Sequence, residues 1–277
     1  MQRQARPDFC LHTIACPHIC RDRIRANGAV LPAADLLQSS SACVRRTAAW
    51  ALSNFARGPN PRIEELLAAG AGEKAAMLVV SWQGRAEGGG AEEGEGAAAL
   101  SLMTEVAWLL SFLTYNQEEF VRFLASSGCV AALISLAQVP QDQLRIPILR
   151  TMGNLACGAD DLVDGLLALP LALPCLYQLL QSQHRGLLKE TCWTISNIAA
   201  GRPEHRQALV GAGFTPLLLH ILQTAHFDIR KEAAFAIFHL LMDAQSRQAA
   251  LSGPVAVEYV GLLRAPDAQV PACLSAC

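Results

Sequence analysis

Apolar residues recur every three to four positions in five segments of this chain, and each segment is typical of a helix with one apolar face. The segments align without internal gaps: AAWALSNFARG from Ala48, VAWLLSFLTYN from Val106, LRTMGNLACG from Leu149, TCWTISNIAAG from Thr191 and EAAFAIFHLL from Glu232. The first aligned column contains Trp50, Trp108, Arg150, Trp193 and Phe235, and the second, four positions later, contains Asn54, Phe112, Asn154, Asn197 and His239. The pattern predicts one helix type, repeated five times.

The spacing of the first column gives the length of the repeat. The spacings between successive members are 58, 42, 43 and 42. Between the aligned helices lie a turn and two shorter apolar helices, and Gly70, Gly128 and Gly213 stand where a left-handed cap would end the first of these. A period in the range of roughly 40 to 47 with three helices is typical of the armadillo/HEAT class, in which each unit buries its apolar face against its neighbours. The sequence therefore predicts an all-α solenoid of about six three-helix repeats.

The first spacing is longer because the segment 84–99, GRAEGGGAEEGEGAAA, lacks periodicity. Without this segment the spacing of 58 becomes the 42 of the others. Its Gly/Glu/Ala composition offers little to bury, so we expect a flexible acidic surface loop. The predicted organisation is a degenerate partial repeat at 1–19, a repeat array at 20–265 that contains this insertion, and a disordered tail at 266–277.

The repeated helix carries a polar stripe that packing does not require. The predicted core is the apolar stripe of Cys192, Ile195, Ile198 and Ala199, with Ala49, Leu52 and Phe55 in an earlier repeat. Glu190, Trp193 and Asn197 occupy positions i, i+3 and i+7 and so share a different face. Glu105 and Glu232 also precede the first column by three positions. This second stripe is predicted to be a recognition surface.

The chemistry of that stripe indicates its ligand. Tryptophans one repeat apart form slots for the aliphatic stems of Lys or Arg, with a cation–π attraction of roughly 0.5 to 2 kcal/mol each. Glutamates at the ends of the slots would pair with the ammonium or guanidinium heads. An asparagine ladder can hydrogen-bond the backbone of an extended peptide, because an amide both donates and accepts. The predicted ligand is an extended basic peptide.

These residues resemble the importin-α (karyopherin-α) family of armadillo adaptors, which bind nuclear localisation signals. The segments that carry the resemblance are AWALSNFARGPNP, EVAWLLSFLTYN, ILRTMGNLACG, KETCWTISNIAAGRPEH and DIRKEAAFAIFHL, and the resemblance covers roughly residues 10–265. It implies a right-handed armadillo superhelix with two sites for lysine- and arginine-rich signals, no cofactor, and a location in the cytoplasm and the nucleus. Importin-β is a further partner that the family implies, although its Arg/Lys-rich binding segment is not visible here.

The resemblance also implies the roles of individual residues. Trp50 and Asn54 would end a major peptide site, and Trp193 and Asn197 would form most of a minor site. The other candidate peptide-binding residues are Glu105, Trp108, Arg150, Asn154, Glu190, Ser196, Glu232, Phe235 and His239. Arg150 resembles the arginine that the family uses between its two sites, and Phe112 matches a repeat in which an aromatic residue already replaces Asn.

The chain departs from the family pattern at both ends of the array. Phe235 and His239 stand where Trp and Asn are expected, which leaves a smaller wall and a different polar group. Counting back one period from Trp50 reaches Asp8 and, four positions later, His12, so the preceding Trp and Asn are absent. The family's Arg/Lys-rich N-terminal segment and its usual ending are absent too. We therefore expect a fragment or a truncated gene product.

Composition narrows the function further. The net charge is -2, which removes the global basic field that nucleic acid binding would favour. The apolar stretch at 166–180 contains Pro170 and Pro174 and is too short and broken to cross a membrane, so no membrane-spanning segment is expected. The N-terminus does not look like a secretory signal, so a reducing compartment and free cysteines are expected.

Two alternatives remain open beside the import adaptor. The first is an armadillo scaffold that has lost import competence and binds another partner. The second is a metalloprotein, since Cys10, His12, Cys16, His18 and Cys20 lie close together, although their spacing is not one of the common zinc pairs. Stoichiometric zinc in the purified protein would be its support. Phosphate-binding loops, nucleophile elbows and HExxH motifs are absent from the sequence, which predicts a binding protein rather than an enzyme.

Overall fold

The structure is a computed structural model that describes residues 18–58, 61–86, 93–251 and residue 257. In these ranges the regular structure is helical throughout, with sixteen α-helices, one short 3₁₀ helix and no strand. The chain forms two compact units, Met1–Phe120 and Val121–Cys277. The prediction of an all-α fold is thus confirmed. Most of the predicted partial repeat at 1–19, and all of the predicted tail at 266–277, lie outside the described residues.

The first unit contains two repeats of three helices. Its helices are α1 (His18–Ala26), α2 (Val30–Asp35), α3 (Ala42–Phe55), α4 (Ile63–Ala68), α5 (Ala71–Ala86) and α6 (Glu93–Leu113). A 3₁₀ turn, Leu36–Gln38, follows α2. The two third helices, α3 and α6, pack along each other, and Leu52 and Leu109 on them are fully buried. The aligned segments of the sequence thus become neighbouring helices.

The second unit repeats the same order of helices. Its helices are α7 (Glu118–Ser126, which begins just before the boundary), α8 (Cys129–Leu136), α9 (Asp142–Ala156), α10 (Asp160–Leu167), α11 (Ala172–Leu179), α12 (Arg185–Ala200), α13 (Pro203–Gly211), α14 (Phe214–Thr224), α15 (Phe227–Leu240) and α16 (Ala244–Ala250). Helix α12 packs against α9 on one side and α15 on the other. Over the whole chain, the described residues contain five complete repeats and the first helix of a sixth.

The apolar stripe of the third helices forms the core, as predicted. Cys192, Ile195, Ile198 and Ala199 of α12 are fully buried. Ala49, Leu52 and Phe55 of α3 are buried as well. Burial of a large aliphatic side chain contributes about 1.5–3 kcal/mol, so this stripe fixes the rotation of each third helix and leaves the polar stripe on another face.

Three glycines make the turn between the first and second helix of a repeat. Gly70, Gly128 and Gly213 have φ values of +72°, +77° and +82°. A Cβ at Gly128 would meet nothing within 4 Å, so the left-handed backbone rather than space requires glycine there. The prediction of left-handed glycine caps at these positions is confirmed.

Residues 84–86 and 93–99 of the predicted loop at 84–99 are helical, which corrects the sequence-based expectation for these two parts. Helix α5 continues to Ala86 and α6 begins at Glu93, while residues 87–92 lie outside the described ranges. The extra length makes α5 and α6 16 and 21 residues long, compared with 8 and 15 for α8 and α9. Alanine and glutamate are good helix formers, so the helix of the apolar residues that follow the insertion starts within the insertion itself, at Glu93.

No membrane-spanning segment was expected from the sequence, but one described helix is long and apolar enough to cross a membrane. Within the described residues, Gly96–Leu113 of α6 meets that criterion by length and composition, with a mean hydropathy of 1.6. Two bent helix pairs, α7 with α8 and α10 with α11, would bring the number to three if each pair were one span. In the fold, α6 packs against α3, and its Val106, Leu109 and Leu110 are fully buried by protein.

Candidate functional site

The aligned residues of the predicted recognition stripe all lie on the third helices of their repeats, and all are partly exposed. The first column consists of Trp50 on α3, Trp108 on α6, Arg150 on α9, Trp193 on α12 and Phe235 on α15, and none of the five is fully buried. The second column shows the same intermediate exposure at Asn54, Phe112, Asn154, Asn197 and His239. Glu105, Glu190 and Glu232 are also partly exposed. The predicted site residues therefore form two groups, one in each unit.

In the first unit, the side chains of α3 and α6 line one cavity of about 270 Å³. Its walls are Trp50, Ser53, Asn54, Arg57, Glu105, Trp108 and Phe112, and these seven residues are called the first cluster. The side chains of Ser53 and Asn54 both donate to the carbonyl oxygen of Trp50, each at 2.8 Å. These bonds orient the two polar groups within their own helix. The structure brings together all four residues that the sequence predicted here.

The first cluster combines aromatic rings with a carboxyl group that lacks full solvation. The rings of Trp108 and Phe112 stack with their centroids 5.9 Å apart and an interplanar angle of 23°. The guanidinium of Arg57 lies 5.8 Å from the centroid of Phe112. Burial raises the pKa of Glu105, and the charge of Arg46 opposes that shift. Burial raises the free energy of the Glu105 carboxylate, so a nearby cation would stabilise it.

In the second unit, Arg150 and Glu190 meet between α9 and α12. The guanidinium contacts both carboxylate oxygens of Glu190, with Nη2 on Oε1 and with Nε 3.5 Å from Oε2. Glu190 is 18% exposed and Arg150 35% exposed. A planar guanidinium that binds both oxygens of a carboxylate forms a bidentate ion pair, which is favourable and directional. Glu190 was expected to hold a ligand cation, but in this structure it already pairs with a cation of the protein.

Helix α12 is attached closely to α9 next to this ion pair. The hydroxyl of Thr194 donates to the carbonyl oxygen of Leu149 at 3.1 Å, and the amide nitrogen of Asn197 donates to that of Gly153 at 3.2 Å. The indole of Trp193 lies against the backbone at Gly153. These contacts fix Trp193 and Asn197 relative to α9.

The same relation recurs one repeat later, between α12 and α15. Nδ1 of His239 lies 3.1 Å from the carbonyl oxygen of Ser196, so Nδ1 carries the proton and donates it. Burial lowers the pKa of His239 below its usual value, although this hydrogen bond opposes the shift, and burial thus favours the neutral imidazole. His239 therefore takes the place of Asn197 in the interhelix contact as well as in the alignment.

The last repeat adds a carboxyl group and an aromatic ring. Burial raises the pKa of Glu232, and the charges of Lys189 and Lys231 oppose that shift. The ammonium of Lys231 lies 5.9 Å from the ring centroid of Phe235, within the range of a cation–π contact. The second cluster consists of Arg150, Asn154, Glu190, Trp193, Ser196, Asn197, Glu232, Phe235 and His239, together with Gly153.

Four residues of the two clusters were not predicted from the sequence to bind peptide: Ser53, Arg57, Phe112 and Gly153. Two of them belong to a third aligned column, three positions after the first, that contains Ser53, Ser111, Gly153, Ser196 and Phe238. Four of its five members are small and buried. The signal was therefore present in the sequence, because a run of small residues beside large aromatic residues indicates close helix contact.

Neither cluster contains a metal site. Among the residues that the structure describes, no group of three His, Cys, Asp or Glu side chains is placed to hold a metal ion. Of the Cys/His group near the N-terminus, Cys10, His12 and Cys16 lie outside the described residues. The six cysteines in the described ranges are free thiols.

Comparisons with known families and relatives identify the repeat. Residues 172–200 match the model of the armadillo/beta-catenin-like repeat. The chain is 34% identical over 226 residues to importin subunit alpha-2 of Oryza sativa subsp. japonica, a match that covers 79% of this chain and 40% of the relative. It is 31% identical over 273 residues to importin subunit alpha-9 of Arabidopsis thaliana, a match that covers 89% of this chain and 48% of the relative. The chain thus spans less than half the length of these relatives.

Solved structures show the same fold. A designed armadillo repeat protein in complex with the peptide (KR)4 superposes with a TM-score of 0.74 at 23% identity, covering 89% of this chain and 97% of that one. An engineered protein superposes with a TM-score of 0.75 at 22% identity, and the match covers 89% of this chain and 94% of the engineered protein. The predicted armadillo fold is confirmed, and the similarity to importin subunits agrees with the prediction of a binding protein rather than an enzyme.

Proposed function

We propose that this armadillo-repeat chain, a homologue of the importin-α subunits, binds lysine- and arginine-rich segments of other proteins at its two clusters. In the cell these segments are nuclear localisation signals, and the chain acts as an adaptor that carries cargo between cytoplasm and nucleus. The observation that carries the proposal is the cavity of the first cluster, where two indoles and a half-buried carboxyl group line the same space.

The cavity suits the two parts of a basic side chain. The indoles of Trp50 and Trp108 offer apolar walls for the methylene stem of Lys or Arg. A cation over an indole face gains roughly 0.5–2 kcal/mol. Glu105 lines the same cavity, and a bound ammonium or guanidinium would offset the burial that now raises its pKa. The cavity therefore offers apolar contacts to the aliphatic stem of a basic side chain and a carboxylate to its cationic head.

The second cluster supports the same class of ligand at a different position. Trp193 and Phe235 stand one repeat apart on α12 and α15, and the half-buried Glu232 is on the same helix as Phe235. Glu190 contributes less to a ligand than the sequence suggested, because Arg150 already neutralises it. The second cluster therefore offers one aromatic slot with one available carboxylate.

The comparisons point the same way. A designed protein of this fold was solved with the peptide (KR)4, an alternation of lysine and arginine. The relatives that the chain matches are named as importin alpha subunits. Nuclear import and the recruitment of importin-β are part of the proposal and rest on the sequence resemblance to the importin-α family.

Fluorescence polarisation with labelled (KR)4 tests the binding step. We expect saturable binding to the wild-type protein, weaker binding to Trp50→Ala and Trp193→Ala, and no binding of an uncharged (GS)4 peptide. Trp82→Ala is the matched control, because Trp82 is a partly exposed tryptophan on α5 outside both clusters. Equal loss of affinity in all three variants, or no saturable binding to the wild type, would refute the proposal.

The alternative is an armadillo scaffold that does not support import. The Arg150–Glu190 pair favours the scaffold, because it removes one carboxylate that a basic signal would use. Permeabilised cells separate the two functions. With importin-β supplied, the adaptor brings a fluorescent protein fused to (KR)4 into nuclei, whereas the scaffold binds the fusion without nuclear accumulation.

A further inference from the structure

We propose that Gly153 positions Trp193 and Asn197, the recognition residues on α12 of the second cluster. This inference rests on the proposed function and deepens it, because it names the residue that holds the indole and the amide of the second cluster in place. The role follows from three observations on α9 and α12.

The first observation is a contact that only glycine permits. A Cβ on Gly153 would stand 2.6 Å from Cε3 and 2.9 Å from Cη2 of Trp193, and closer still to Cζ3. The six-membered ring of the indole therefore lies directly on the backbone of α9. The backbone of Gly153 is ordinary helix rather than left-handed, so its conformation does not call for glycine. Since glycine weakens a helix interior, close approach of the ring explains its presence.

The second observation is that Gly153 also holds the polar partner of Trp193. Its carbonyl oxygen accepts the amide of Asn197 at 3.2 Å. Trp193 and Asn197 are the aromatic and amide members of the proposed recognition stripe, and both are positioned against this one residue. A side chain at position 153 would push the indole away from α9 and disturb the approach that the Asn197 bond requires.

The third observation is the contrast with the first cluster. Ser53 occupies the position equivalent to Gly153, and there Ser53 and Trp108 line a cavity of about 270 Å³. At Gly153, the indole of Trp193 lies directly against the backbone of α9 instead. A serine side chain at this position, as at Ser53, would meet the ring of Trp193.

The variants Gly153→Ala and Gly153→Ser test this role in protein labelled with 5-fluorotryptophan. The four tryptophans give four ¹⁹F resonances, and we expect only that of Trp193 to move strongly. Affinity for (KR)4 should fall about tenfold or more, because overpacking displaces the indole. Gly165→Ala is the matched control, since a Cβ at this helical glycine would meet nothing within 4 Å. It should change neither the Trp193 resonance nor the affinity.

The double variant Gly153→Ala/Trp193→Phe supplies a rescue, because the smaller phenyl ring relieves the contact. We expect it to be more stable than Gly153→Ala alone, which also decides the matter if the single variant folds poorly. An unmoved Trp193 resonance with unchanged affinity in Gly153→Ala would overturn the inference. If the wild type fails to bind (KR)4 at all, the proposed function fails, while the resonance shift and the rescue still report whether Gly153 positions the ring.

Discussion

Replacement of Glu105 by glutamine separates the contribution of this residue to binding from its contribution to folding. Glu105 lines the cavity of the first cluster, and burial raises its pKa. A hydrogen bond to a charged group contributes about 1.5–3 kcal/mol, which corresponds to a loss of about 10- to 150-fold in affinity when the charge is removed. We therefore expect Glu105→Gln to weaken the binding of (KR)4 to a Trp193→Ala protein, in which only the first cluster is intact, within that range.

The same variant should fold at least as well as the wild type at neutral pH. A carboxyl group whose pKa is raised by burial costs stability when it is ionised, and glutamine removes that cost, while the lost attraction to Arg46 acts in the opposite direction. Thermal denaturation followed by circular dichroism checks this. The matched control is Glu73→Gln, at an exposed glutamate in the first turn of α5, which should leave the affinity unchanged.

Binding at the first cluster should also depend on pH with a defined sign. The pKa of Glu105 is raised in the free protein, and a bound cation would lower it, so affinity is highest above the raised pKa and falls as the pH drops through it. Glu105→Gln should flatten this profile. The reasoning is refuted if Glu105→Gln binds as tightly as the wild type, or if it lowers affinity and melting temperature together as a simple packing defect does.

Three further predictions concern stability and are checked by chemical or thermal denaturation. Ile195→Ala, at a fully buried core position of α12, should cost about 2–5 kcal/mol. Leu171→Ala, at a side chain that is 46% exposed, should cost far less. Gly128→Ala should cost about 1–2 kcal/mol although a Cβ meets nothing there, because its φ of +77° disfavours any L side chain. Burial lowers the pKa of His205, although the charge of Asp160 opposes the shift. The free energy of unfolding should therefore fall as the pH drops below about 6.5, the pKa of a histidine in the unfolded chain, and His205→Gln should reduce that fall. The control is His226→Gln, at an exposed histidine. A core variant as stable as the exposed one, or a pH profile that His205→Gln leaves unaltered, would contradict these assignments.

The repeat and its orientation could be predicted from the sequence because one periodic constraint fixes both. The buried stripe of Cys192, Ile195 and Ile198 fixes the rotation of α12, and the position of Trp193 and Asn197 on another face follows. Gly128 and its equivalents could be predicted because the turn between two helices needs a left-handed residue. Such features depend on residues near in sequence, where helical geometry is known in advance.

The features that the sequence did not predict depend on contacts between neighbouring repeats. An alignment of the repeats shows which positions are equivalent, but it does not show which side chains meet across the helix interface. The alignment placed Arg150 and Glu190 in separate columns, whereas the helix packing of the second unit makes them an ion pair. Asn197 was expected to face a peptide, but its amide nitrogen donates to Gly153 of the preceding repeat. The helical ends of residues 84–99 were not predicted, because the glycines of this segment disfavour a helix while its alanines and glutamates favour one.

The central claim, that a basic peptide binds at the two clusters, is tested most directly by titrating 5-fluorotryptophan-labelled protein with (KR)4 and following the four ¹⁹F resonances. Three of the tryptophans, Trp50, Trp108 and Trp193, belong to the clusters, and Trp82 does not. The account predicts saturable shifts of those three resonances while that of Trp82 stays in place. Saturable binding that shifts only Trp82, or that leaves all four resonances unchanged, would contradict it.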